Sequence, residues 1–135
     1  RRGRVTVLTP HEGEFLRVGG NLSQGRTAAA TEFAHQSGAV VVLKGPGTVV
    51  AGPDGRCRVN TTGNCGMAKG GSGDVLSGVV LALLGLGMDA FDACCCAVWL
   101  HGRAGDLAAQ EKGQWGMTPT DLLERLPQAL REVTE

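Results

Sequence analysis

The spacing of apolar and polar positions changes several times along this chain, and each change predicts an element. Residues 4–8, Arg-Val-Thr-Val-Leu, read as a short strand that ends at Pro10. Thr9, Pro10 and Glu12 then have the spacing of a helix start, with Thr9 as the cap and Pro10 in the first turn. Between Asn21 and Ser37 the small residues Ala28, Ala29, Ala30 and Ala34 join Phe33 on a helical face, and Gly38 stops the helix. Ala39–Leu43 is an unbroken apolar run between Gly38 and Lys44-Gly45-Pro46-Gly47, which suits a strand buried on both faces. Strand, helix and strand with short joins make a βαβ unit and therefore a parallel pair. Residues 48–51 and 56–60 are two further β-type runs on either side of the turn Gly52-Pro53-Asp54-Gly55, and read as a hairpin.

The remainder is helical. Residues 72–86 are apolar nearly all round (Val75, Leu76, Val79, Val80, Leu83, Leu84), the pattern of a buried helix. Asp89, with Asp92 three residues on, caps a long helix whose body carries Phe91, Cys94, Cys95, Val98, Trp99, Leu100, Ala104, Leu107 and Ala108. His101 and Asp106 lie on it, in packing or structural hydrogen-bonding roles. Thr118-Pro119-Thr120-Asp121 starts the last helical segment, with Leu122, Leu123, Leu126 and Leu130 as its stripe; Pro127 is expected to split it in two.

Composition narrows the choice of function. At 135 residues the chain is one domain at most, and 42% hydrophobic content is enough for a core. A formal net charge of 0 gives no electrostatic footprint for nucleic acid. The five cysteines are odd in number, and Cys94, Cys95 and Cys96 diverge around one helix, so no metal-ligand spacing arises and a reducing cytoplasm is the expected setting. The apolar run 75–86 is too short to cross a bilayer, so no membrane partner is expected. Gly accounts for 22 residues, far above ordinary usage, which points to ligand loops and close packing.

Those glycines gather at one place. Gly63, Gly66, Gly70, Gly71 and Gly73 precede the apolar helix, and Asp74 stands in its first turn. A helix N-terminus presents unpaired N–H groups that suit a phosphate, and an acid beside it suits phosphoryl transfer. A purely structural loop, with Asp74 balancing the helix dipole, fits the pattern equally well. The motif is not the Walker loop, because no Lys-Ser/Thr follows the last glycine, and it lacks the third glycine of the dinucleotide fingerprint. His11 and Lys44 each follow the C-terminal end of a strand, where ligands bind in open α/β sheets, but each also reads as an ordinary solvated residue.

Three stretches carry a resemblance: Thr9-Pro10-His11-Glu12-Gly13-Glu14-Phe15, Val41 through Val50 with Lys44-Gly45, and Asn60 through Gly78 with Gly66-Met67-Ala68-Lys69-Gly70-Gly71-Ser72-Gly73-Asp74. With Leu100-His101-Gly102, Ala104-Gly105-Asp106 and Asp121-Leu122-Leu123 they extend over nearly the whole chain, which resembles the ADP/ATP-dependent NAD(P)H-hydrate dehydratases. It departs from them at Glu12 and Cys65, where the family commonly has proline. A complete family domain is longer and begins with further βα units, so residues 1–135 resemble its C-terminal half.

The resemblance implies a three-layer ribokinase-like α/β fold, with a mostly parallel sheet and helices on both faces. It implies a lyase that uses ADP or ATP, with Mg²⁺, to dehydrate hydrated NADH or NADPH. Asp74 is the implied catalytic base. Gly70, Gly71, Ser72 and Gly73 are implied at the phosphates, Lys44, Asn64 and Lys69 on the nucleotide side, and His11 on the hydrated-cofactor side. No protein metal ligands are implied. The expected partner is a second copy or the missing N-terminal half. A ribokinase-like small-molecule kinase of the thiazole or hydroxymethylpyrimidine type, or an inactive nucleotide-binding fragment, would carry the same loop.

Overall fold

The computed structural model describes residues 5–64, 67 and 72–134. Its contacts divide the chain into two compact units: residues 1–60 with 88–95, and residues 61–87 with 96–135.

The first unit is built on a four-stranded sheet in the order β1 (Val7–Leu8), β2 (Val40–Leu43), β3 (Val49–Ala51), β4 (Cys57–Val59). β1 and β2 pair in parallel, Val7 with Val40 and Leu8 with Val41, as the βαβ pattern requires. β2–β3 and β3–β4 are antiparallel, the latter being the hairpin read from the turn residues. All four residues of β2 are buried. The helix α1 (Glu12–Arg17) follows β1, and α2 (Arg26–Ser37) covers β2 and β3. Phe15, Ala29, Ala30, Ala34, Val41, Leu43, Val49 and Ala51 form the core, with Phe33 tilted against Phe15 at 5.2 Å between ring centroids.

Two helix starts differ from expectation. α1 is capped by His11 rather than Thr9: His11 Nδ1 accepts the Glu14 N–H at 3.1 Å, and Glu14 Oε1 accepts the His11 N–H at 3.0 Å. This reciprocal box satisfies two N-terminal donors and outcompetes a cap two residues earlier. α2 begins at Arg26 instead of Asn21, because Gly25 at φ 95° cannot continue a helix and the Asn21 side chain closes its own turn onto Ser23 N–H. Its C-terminal stop at Gly38, with φ 73°, is as expected.

The second unit holds α3 (Ser72–Gly85), most of α4 (Ala90–Lys112) and α5 (Pro119–Thr134). Its core is Leu100, Ala104, Leu107 and Ala108 of α4 with Met117, Leu122 and Ala129. Asp89 caps α4 by accepting the Asp92 N–H at 3.2 Å, and Thr118 and Asp121 cap α5 reciprocally. α3 is not the buried helix its composition suggests. Leu76 and Val80 are inside, but Leu81 is 71% exposed. Composition alone cannot report how many sides of a helix have neighbours. α5 runs unbroken through Pro127. Proline frees the carbonyl of residue 123, and Leu123 and Pro127 are both at the surface, so water can serve that carbonyl while Leu122 and Ala129 hold the helix down. Among the described residues no helix is long and apolar enough to cross a membrane.

Candidate functional site

The expected site residues fall into both units. In the first, the parallel pairing of β1 and β2 continues beyond the strands as a bridge between His11 and Lys44. The Lys44 N–H donates to Pro10 O at 2.8 Å, so the two residues leave adjacent strand ends side by side. His11 has its Nδ1 engaged in the α1 cap. Glu14 completes this group: the His11 N–H, and then the nearby charges of His11, Lys44 and Arg17, hold its carboxyl below the usual range.

Sequence reasoning missed Arg26. It forms an ion pair with Glu12, and its guanidinium donates to Leu43 O at 3.0 Å and Gly47 O at 3.4 Å. It thus ties α1, α2 and the Lys44-Gly45-Pro46-Gly47 loop together. No motif announced it, since a lone arginine in a first helical turn is common; its partners exist only in three dimensions.

In the second unit, α3 opens with Ser72, Gly73 and Asp74. Ser72 is buried, and its carbonyl accepts from His101 Nε2 at 3.0 Å. Only N–H can pair with a carbonyl, so Nε2 carries the proton. Asp74 is exposed in the first turn. Asn64 donates its amide Nδ2 to Asp106 Oδ1 at 2.9 Å, and Asp106 Oδ2 accepts the Gly63 N–H at 3.0 Å. Lys69, Gly70 and Gly71 lie outside the described residues. His101 and Asp106 therefore make structural hydrogen bonds, as read from the sequence, and both make them to the segments flanking the glycine-rich stretch.

Among the described residues no cluster of three His, Cys, Asp or Glu side chains could hold a metal ion. Cys94 is fully buried, and burial pushes its thiol up to about 12, while Cys95 and Cys96 are shifted in the same direction; Cys57 is exposed.

A glycine-rich stretch leading into a helix with an exposed acid in its first turn is a pattern found in nucleotide-phosphate-handling α/β proteins. The comparisons narrow this. The family model described as NAD(P)H-hydrate dehydratase matches residues 1–128, and the chain belongs to that family. It is 50% identical, over 99% of its length, to the bifunctional NAD(P)H-hydrate repair enzyme of Thermofilum pendens, of which it covers 26%. It is 43% identical to the ADP-dependent (S)-NAD(P)H-hydrate dehydratase of Bacillus subtilis, covering 47% of that protein. A crystal structure of the Bacillus subtilis ADP/ATP-dependent NAD(P)H-hydrate dehydratase, co-crystallised with ATP/Mg²⁺, superposes with a TM-score of 0.91 at 40% identity, over 98% of this chain and 49% of that one. The fold class is thus the three-layer, ribokinase-like α/β arrangement, with a mixed sheet whose parallel part here is β1–β2. The chain spans about a quarter to a half of the length of these relatives.

Proposed function

We propose that this chain is the C-terminal half of an ADP/ATP-dependent NAD(P)H-hydrate dehydratase domain and carries its phosphate-binding stretch and catalytic base. The observation that carries the reading is Asp74, exposed in the first turn of α3 directly after the glycines, in a chain that is half identical to a hydrate repair enzyme.

Loss of hydroxide from the hydrated nicotinamide ring is slow, and a phosphate ester is a far better leaving group. In this reading Asp74 accepts the proton of the ring hydroxyl as its oxygen attacks the terminal phosphorus of the nucleotide. The bond from that phosphorus to the bridging oxygen breaks, releasing AMP from ADP or ADP from ATP. Backbone N–H groups of Gly71, Ser72 and Gly73 face the charge that develops on the transferred group. The ring-nitrogen lone pair then expels phosphate, and loss of a proton from the neighbouring ring carbon restores the dihydropyridine. Lys44, Asn64, Lys69 and Gly70 serve the nucleotide, and His11 the hydrated cofactor. With no protein metal cluster among the described residues, Mg²⁺ would enter with the nucleotide phosphates and supply charge neutralisation there.

The partial coverage of relatives and the exposed Leu81 and Leu86 on and beside α3, at 71% and 79%, support a chain that acts together with the remainder of such a domain or with a second copy. The unpaired cysteines among the described residues suit the cytoplasmic setting this reading assumes. The test is calorimetric titration with ADP and ATP, followed by assay of NADH recovery from hydrated NADH. Free phosphate with restored NADH supports the proposal. A stable phosphorylated product would make the protein a kinase, and nucleotide binding without turnover in the completed assembly would make it a binding module.

A further inference from the structure

The α4 helix holds the chain on both sides of the glycine-rich stretch. On the entry side, Thr62 Oγ1 donates to Trp99 O at 3.0 Å, and Asp106 takes the Gly63 N–H on one carboxylate oxygen and the Asn64 amide on the other. Gly102, one helical turn before Asp106, leaves room for Thr62, and Gly105 leaves room for Met67. A methyl group at Gly102 would lie 2.7 Å from the Thr62 carbonyl carbon, and one at Gly105 would lie 2.8 Å from Met67 Cγ. On the exit side, buried His101 donates Nε2–H to Ser72 O at 3.0 Å. Residues 62–64 and Ser72 are thereby fixed to a single rigid helix.

We infer that Asp106 and His101 are positioning residues for phosphate binding, which act by holding Gly63, Asn64 and Ser72, the described residues on either side of the glycines. The inference rests on the functional reading above, and it adds two residues to it. Asp106 is unsuited to touch a phosphate, since like charges repel; its work is done through Gly63 and Asn64. An acceptor-only carboxylate demands the NH₂ side of the Asn64 amide, so it also fixes which way that side chain faces. Backbone donors stabilise developing charge best when they need no rearrangement, and a misplacement of about 1 Å can cost on the order of 10²-fold in rate.

The test uses Asp106→Leu, His101→Gln, His101→Leu and, as a control, Glu132→Gln. Glu132, on α5, pairs with Arg103 of α4 at 2.7 Å and touches none of the residues flanking the glycines in the described contacts. Leu at 106 is close in size to Asp but offers no acceptor to the Gly63 N–H or to the Asn64 amide. Amide hydrogen exchange at Gly63 should therefore accelerate about tenfold or more, as a hydrogen bond to a charged acceptor is lost. Affinity for ADP should fall by roughly 10- to 100-fold, while the thermal midpoint moves no more than in Glu132→Gln. His101→Gln can still donate to Ser72 O and should keep ADP affinity within a few-fold, whereas His101→Leu should lose it. Unchanged Gly63 exchange in Asp106→Leu would overturn the inference. So would accelerated exchange with ADP affinity intact, because the contacts would then be structural only. Failure of the unmodified protein to bind ADP or ATP, when completed with the remainder of the proposed domain, would overturn the functional reading instead, and exchange at Gly63 would still decide whether Asp106 holds the chain.

Discussion

Replacing Gly102 with alanine should destabilise the protein, although alanine is the better helix former. In an open helix interior this exchange gains about 1 kcal/mol. At Gly102 the new methyl would sit 2.7 Å from the Thr62 carbonyl carbon, and Thr62 is held in place by its own hydrogen bond to Trp99 O. Ordinary van der Waals contact is about 3.4–4 Å, so the segment carrying Thr62 must move by roughly 1 Å and strain or lose that bond. Overpacking of this kind costs about 1–3 kcal/mol, and the disturbed hydrogen bond about 1 more, for a net loss of about 1–3 kcal/mol after the helix gain. With an unfolding entropy of about 2.1 cal/mol/K per residue over the 135 residues, the thermal midpoint should fall by about 4–11 °C. Gly78, in the middle of α3, has nothing within 4 Å of the same methyl position, and its alanine variant should gain about 0.5–1 kcal/mol and raise the midpoint by a few degrees. Calorimetric or circular-dichroism melts of the two variants in the same buffer provide the comparison. Midpoints that move in the same direction, or a Gly102→Ala protein as stable as the parent, would refute the close approach of α4 to residue 62.

Phe15 is fully buried under α2, so Phe15→Ala should cost roughly 3–5 kcal/mol in urea unfolding; a loss below about 1 kcal/mol would mean that this core is not formed as described. Thr118→Ala removes one half of the reciprocal cap of α5 and should cost about 1 kcal/mol by the same assay. In the native protein at mildly alkaline pH, iodoacetamide should modify exposed Cys57 well before Cys94, which is both buried and held as a neutral thiol; rapid labelling of Cys94 without unfolding would contradict its place in the core.

Local chemistry was legible in the sequence wherever one short segment decides the outcome. The unbroken run of Ala39–Leu43, the Gly38 stop, the Gly52–Gly55 hairpin and the Asp89 and Thr118 caps all stand where periodicity and turn residues put them. Two helix starts were misread because stronger neighbours compete. His11 makes a better reciprocal box than Thr9, and Gly25 at positive φ ends any helix drawn back to Asn21. The exposure of α3 and the continuity of α5 through Pro127 depend on tertiary neighbours, which no local pattern encodes. At the candidate site the glycines and Asp74 were visible as a motif, and His101 and Asp106 as polar groups on an apolar helix. Their partners, Ser72 and residues 63–64, lie far away in sequence, so the link between them emerges only from the fold. Arg26 was invisible for the same reason.

The central claim is that Asp74 acts as the base of a nucleotide-dependent dehydration. Asn at this position keeps the shape and much of the hydrogen bonding but cannot take the proton. The direct measurement is the rate of NADH recovery, followed by the ultraviolet absorbance of the restored dihydronicotinamide, from hydrated NADH with ADP or ATP and Mg²⁺. It is run on parent and Asp74→Asn proteins in the assembly that turns over, with the missing portion of the domain restored where required. Asp74→Asn should lose about 10²–10⁴ in kcat while ADP affinity changes far less. A variant that turns over within a few-fold of the parent, with only its melting temperature altered, would show that Asp74 merely caps α3 and that the proposed mechanism is wrong.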